Sequence, residues 1–171
     1  MIVQSGFRAF ATALLLTLVL GGSVWAQGAK VSLGGGDHDS SLPVEITSEE
    51  LEVDQANGTA IFTGDVIVGQ GDITITSQEM RVEYGEDPAT GKNEIRVIRM
   101  FGGVTFVSPD EAAESDTAVY TLATDMLIMQ GSVLVTQGAT ALSADKLTYN
   151  LETGDGVMEG RVKTILQPGS N

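Results

Sequence analysis

From Val44 onward apolar residues recur at every second position, and no 3.6-residue period is sustained. Val44 and Ile46 flank Glu45; Leu51 and Val53 flank Glu52; Val66 and Val68, Ile73 and Ile75, and Tyr120 and Leu122 repeat the spacing. A period of two places one apolar and one polar face on each segment, which is the pattern of half-buried β-strands. Asn57-Gly58 between two such segments is a hairpin signal, and Gly69-Gln70-Gly71 marks another turn. Pro109 to Glu114 is the one stretch with helical character, and it is too short and too acidic to bury a face.

The pattern also repeats on a longer scale. Gly-x-Val occurs at Gly64, Gly102, Gly131 and Gly160, with spacings of 38, 29 and 29. A polar residue followed by apolar or small residues at +2 and +4 begins at Glu49, Gln78, Asp116 and Asp145, with spacings of 29, 38 and 29. The polar residue precedes its glycine by 15 positions in three units and by 24 in the second. The nine extra residues coincide with Gly85 to Asn93, a run of turn formers expected to lengthen a surface hairpin. About four short strands per unit predict about sixteen antiparallel strands in four repeats, an all-β chain of stacked rungs or an elongated β-jelly roll.

The N-terminus departs from this pattern. Arg8, the apolar run from Ala9 to Leu20 and small residues at Val24 and Ala26 read as a secretory signal peptide, residues 1–26. The run rises about 18 Å, short of the roughly 30 Å hydrocarbon core, although a window from Phe7 to Ala26 could serve as a retained anchor. Residues 27–42, with Gly34-Gly35-Gly36, read as a flexible leader, 43–166 as the β domain and 167–171 as a tail.

Charge and composition narrow the chemistry. Arg8 is the only charged residue of the first 26, so the chain from Gln27 has eight Lys/Arg against 23 Asp/Glu, a net charge of −15. Such a surface repels phosphate backbones, so nucleic acid is not an expected partner. With no cysteine, disulfides and thiolate metal sites are excluded. His38 is the only histidine and lies in the Gly-rich leader, a poor basis for a metal site or a catalytic triad. No acidic residue stands out as a catalyst. Neither a catalytic residue, a metal nor a cofactor is expected.

Two segments carry a family resemblance. Pro43-Val44-Glu45-Ile46-Thr47-Ser48-Glu49, with Leu51 and Asp54, is followed by Phe62-Thr63-Gly64-Asp65-Val66-Ile67-Val68-x-Gln70-Gly71, Ile73 and Ile75. These resemble the OstA-like (LptA) family of periplasmic lipopolysaccharide-transport proteins. Tyr120-x-Leu122, Gly131-x-Val133 and Asp145 to Tyr149 fit the same pattern, so the resemblance spans roughly Pro43 to Leu166. Asp65 departs from it, since the family commonly has Asn there.

The resemblance implies a twisted β-jelly roll with an apolar groove. It implies protomers joined head to tail as a homo-oligomer, between an inner-membrane transporter component and an outer-membrane translocon. Lipopolysaccharide would pass along the groove with its lipid A acyl chains inside. Read with the alternation, the groove would be lined by Val44, Ile46, Phe62, Val66, Val68, Phe106, Tyr120, Leu122, Val133, Val135 and Tyr149. The same alternation is compatible with a fully packed core, which composition alone favours. Other readings are an inner-membrane-anchored component of the same system and a carbohydrate-active β-solenoid enzyme, which would need a matched carboxylate pair.

Overall fold

One antiparallel sheet of eleven strands and a single 3-10 turn make up nearly all that the computed structural model describes, residues 29–32, 41–88 and 90–166. The strands are β1 (Ala29–Ser32), β2 (Glu45–Thr47), β3 (Glu50–Asp54), β4 (Thr59–Gln70), β5 (Ile73–Glu86) and β6 (Asn93–Val107). They continue with β7 (Glu111–Thr121), β8 (Met126–Gln137), β9 (Thr140–Asn150), β10 (Asp155–Glu159) and β11 (Lys163–Leu166). The order is β1-β10-β9-β8-β7-β6-β5-β4-β2, and the sheet is unclosed. At one end β2 and β3 share β4, and at the other β10 and β11 share β9.

Glycine bends the sheet along its middle. Register shifts occur between Thr63 and Val66, Phe101 and Val104, and Gln130 and Val133, each across a Gly-x-Val. At Gly64 and Gly131 φ is 82° and 79°, and the following Asp65 and Ser132 are also left-handed, at 41° and 48°. Two consecutive residues of this kind form a β-bulge that turns the strand without ending it. Each glycine faces the polar residue of its own unit: Glu49 and Gly64, Gln78 and Gly102, Asp116 and Gly131, Asp145 and Gly160. The Glu49 and Asp145 amides donate to the Gly64 and Gly160 carbonyls at 3.1 and 3.0 Å. On the polar strand a serine bridges the bend. Ser48, Ser77 and Ser115 donate to the carbonyls of Glu50, Glu79 and Thr117 at 2.9, 3.2 and 2.9 Å.

Two expectations need correction. Sixteen short strands follow only if each Gly-x-Val breaks its strand. The ladder continues through each bulge, so what reads as two short strands is one long strand of 11 to 15 residues. The segment read as a flexible leader contributes β1, which pairs with β10 from Ala29↔Met158 to Ser32↔Asp155. An open sheet edge recruits backbone partners, and averaging composition across the leader hides a strand of four residues. The signal, residues 27–28 and 33–40 of the leader with His38, and the tail lie outside the described residues.

The bend turns both halves of the sheet onto one interior. Phe106, beyond its bulge on β6, meets Tyr149 from the other half edge to face, with ring centroids 6.4 Å apart at 79°. Cross-strand rows fill the space. One runs Phe62, Met80, Met100, Ala118, Met129, Leu147, Met158, and another Ile46, Val68, Ile75, Phe106, Ala113, Val135, Leu142. Most of these side chains are less than a tenth exposed. The long hairpin lies where the nine extra residues predict it, between β5 and β6, closed by the Asp87 amide on the Lys92 carbonyl at 2.8 Å.

Candidate functional site

All eleven residues expected to line a groove fall on the interior side of the bent sheet. Val66, Val68, Phe106, Tyr120, Val133, Val135 and Tyr149 are buried, while Val44, Ile46, Phe62 and Leu122 are half-buried and pack against them. The alternation that selected them behaves differently on the two kinds of strand. On glycine strands the inward residues keep one parity through the bend, as in Ala60 and Phe62, then Val66 and Val68. On their partners the phase slips by one, as in Ile75 and Ser77, then Met80 and Val82. On these partner strands sequence reasoning named Tyr120 and Tyr149 beyond the slip, but omitted Ile75, Ala113 and Leu142 before it and Met80, Val82 and Leu147 beyond it. It also passed over Met80, Met100, Met129 and Met158, although the last three each stand two residues before a Gly-x-Val glycine, which was a usable signal.

The interior is closed along most of its length. A cavity among Val68, Ile75, Ile98, Met100 and Tyr120 holds about 20 Å³, room for one water and not for a hydrocarbon chain. Space opens at one end. Leu42, Val44 and Gln70 face Gly85 to Pro88, Glu94, Ile95 and Arg96, with Leu122 and Ala123 between, around a concavity of about 600 Å³. This volume falls within the roughly 300–1,000 Å³ of ordinary ligand clefts. Val44 and Gln70 line both spaces, so the concavity is the mouth of the interior slot. The lengthened β5–β6 hairpin supplies one wall. Gln70 is buried, and its amide donates to the Leu42 carbonyl at 2.9 Å, fixing the opposite wall.

Apolar inward faces run out into solvent on β3. Leu51 pairs with Phe62 and Val53 with Ala60, so both lie in interior rows, yet they are 56% and 59% exposed. Among the described residues no strand covers them, because β3 is the edge.

Few polar groups enter the interior. Tyr120 donates to Asp125 at 3.0 Å, and burial together with that bond raises the phenol above its ordinary range. Tyr149 donates to Glu111 Oε1 at 3.0 Å. Burial pushes the Glu111 carboxyl upward, the Tyr149 bond opposes this, and Asp110 adds to the rise. Outside, Arg161 grips Asp145 at 2.7 Å and holds its carboxyl below the usual range. Among the described residues no cluster of His, Asp or Glu is arranged to hold a metal, and no helix is long and apolar enough to cross a membrane.

Comparison with known proteins agrees with this geometry. The model of the LptA/(LptD N-terminal domain) LPS transport protein family matches residues 45–155. The Escherichia coli K12 lipopolysaccharide export system protein LptA is 29% identical over 142 residues, 80% of this chain and 74% of that protein. An uncharacterized protein of Rhizobium meliloti is 27% identical over 169 residues, 95% and 91% of the two chains. The crystal structure of Pseudomonas aeruginosa LptH, the LptA homologous periplasmic component of the conserved lipopolysaccharide transport device, superposes with a TM-score of 0.68 at 18% identity. That match covers 77% of this chain and 99% of the other.

Proposed function

The chain belongs to the LptA/LptD N-terminal domain family of lipopolysaccharide transport proteins, and we propose that it is a periplasmic carrier whose interior slot shields lipid A acyl chains. The observation that carries this reading is the mouth of about 600 Å³ leading between two apolar half-sheets. Each CH₂ that leaves water gains about 0.8 kcal/mol, so an apolar slot holds acyl chains without a catalytic group. The interior has to widen to admit them. The sheet is unclosed, so its halves can part about the bulge line while every ladder stays paired. The methionine row suits an interior that repacks, because thioether side chains adapt to irregular shapes.

Further details belong to the same reading. Four repeats in a jelly-roll arrangement give the slot its length. Residues 1–26 are a cleaved signal that delivers the chain to the periplasm, and 43–166 are the transport domain. Copies join head to tail through edge strands, where Leu51 and Val53 offer interior rows for continuation by strand addition. The resulting bridge runs from the inner-membrane transporter component to the outer-membrane translocon. With a net charge of −15 on the chain from Gln27, lipid phosphates face solvent or bound divalent cations.

Site-specific photo-crosslinking tests the carrier. A crosslinker at Ile46 or Tyr120, both inward, should capture lipopolysaccharide in the periplasm, and one at Glu45 or Thr121 should not. Equal capture from both faces would mean that the lipid lies elsewhere and that the interior is only a packed core.

A further inference from the structure

Glu111 sits where an acidic residue is not needed by the fold. It opens β7 and shares inward parity with Ala113 and Ser115. Its side chain is 6% exposed among Phe106, Leu127, Met129, Val135, Leu147 and Tyr149, drawn from both halves of the sheet. Oε1 accepts the Tyr149 hydroxyl at 3.0 Å. Oε2 is buried, and among the described residues no donor reaches it. The ion pairs of the described residues, Arg99–Glu83, Lys146–Glu159 and Arg161–Asp145, all lie elsewhere. Among the described residues the charged neighbour that acts on it is Asp110, of the same sign.

A buried carboxylate oxygen without a partner is costly, and buried polar groups are nearly always satisfied. What satisfies Oε2 therefore lies beyond the described residues and must itself tolerate apolar walls. Resting on the carrier reading above, we propose that Glu111 is a polar binding point within the apolar slot, which takes the hydroxyl of a hydroxylated acyl chain on Oε2. A hydroxyl can both donate and accept. It pairs with the group whether that is a carboxylate or a carboxylic acid, whereas an amide N–H or an ammonium can only donate. The chain that carries the hydroxyl is the part of a lipid that the surrounding side chains favour. Tyr149 holds the carboxyl in place through Oε1 and leaves Oε2 for the ligand.

The test uses the secreted protein and displacement of a bound fluorescent fatty acid. Stearic acid is compared with stearic acids bearing a single hydroxyl at C2, C3, C10 or C12. At least one hydroxylated chain should bind about three- to tenfold tighter than stearic acid, the scale of one buried hydrogen bond. Glu111→Leu should bring that ratio to about one. The double variant Glu111→Leu/Tyr149→Phe should do the same, and it leaves neither polar group buried alone, so it keeps the test independent of a folding defect. A ratio of one for every hydroxylated chain in the unaltered protein overturns the inference, as does a preference that survives in both variants. Failure of stearic acid itself to bind is a separate result, which removes the carrier reading and this inference with it.

Discussion

Replacing Gly102 and, separately, Gly103 with alanine divides two costs that the bend combines. Both residues are left-handed, at φ 82° and 85°, so each alanine carries the same backbone strain, about 1–2 kcal/mol. Their surroundings differ. A Cβ at Gly103 meets nothing within 4 Å, while one at Gly102 comes within 2.7 Å of Gln78 Cβ and 3.2 Å of Gln78 Cγ. Gln78 Cβ is anchored to the backbone and cannot swing away, so that overlap adds the cost of an overpacked site, about 1–3 kcal/mol. Gly103→Ala should therefore lose about 1–2 kcal/mol and Gly102→Ala about 2–5 kcal/mol. Thermal unfolding followed by circular dichroism reads this at about 3 °C per kcal/mol for a chain of this size. In a Gln78→Gly background the difference between the two alanines should vanish. Equal losses from the two single variants, or a difference that persists in that background, would refute the claim that the glycine exists to admit the polar residue of its unit.

Three further outcomes are expected. The folded-state pKa of Glu111 is raised, so its contribution to stability is fully present below its unfolded value of 4.5 and is lost as pH rises through the folded value. Glu111→Gln should remove that dependence, and urea midpoints of the two proteins between about pH 4 and 8 should separate only toward the alkaline side. Met129→Ala, at a fully buried position in the methionine row, should cost about 2–5 kcal/mol by chemical denaturation. Leu51→Lys with Val53→Lys should leave unfolding midpoints nearly unchanged, since both are more than half exposed, but should shift assemblies toward monomer in light scattering.

Much of this architecture is visible in the order of residues, for local reasons. Glu49 and Gly64, or Asp116 and Gly131, recur at fixed distance because each pair must meet across one hairpin. Gly85 to Asn93 reads as an insertion because turn formers cluster there, and the structure places it at a hairpin tip. Other features depend on partners distant in sequence. Whether a strand ends at Gly64 or bends through it is decided by the ladder to β5, which no local pattern shows. Leu51 and Val53 alternate like core residues and lie in core rows, yet they are exposed because β3 is an edge. Glu111 has the inward parity of Ala113 and Ser115, a signal that an acidic residue after Pro109-Asp110 does not invite one to read.

The pairing of each glycine with a polar residue inside its own hairpin bears on how such a chain can change length. Because no such contact reaches from one unit to the next, duplicating or deleting a segment of 29 residues transfers a complete hairpin together with its bend and breaks no glycine–polar pair. Any other change of length has to be absorbed at a tip, as the nine residues between β5 and β6 are. A change of length is thus channelled into whole units or into the rim of the mouth, where the β5–β6 hairpin can lengthen without disturbing the spine of the sheet.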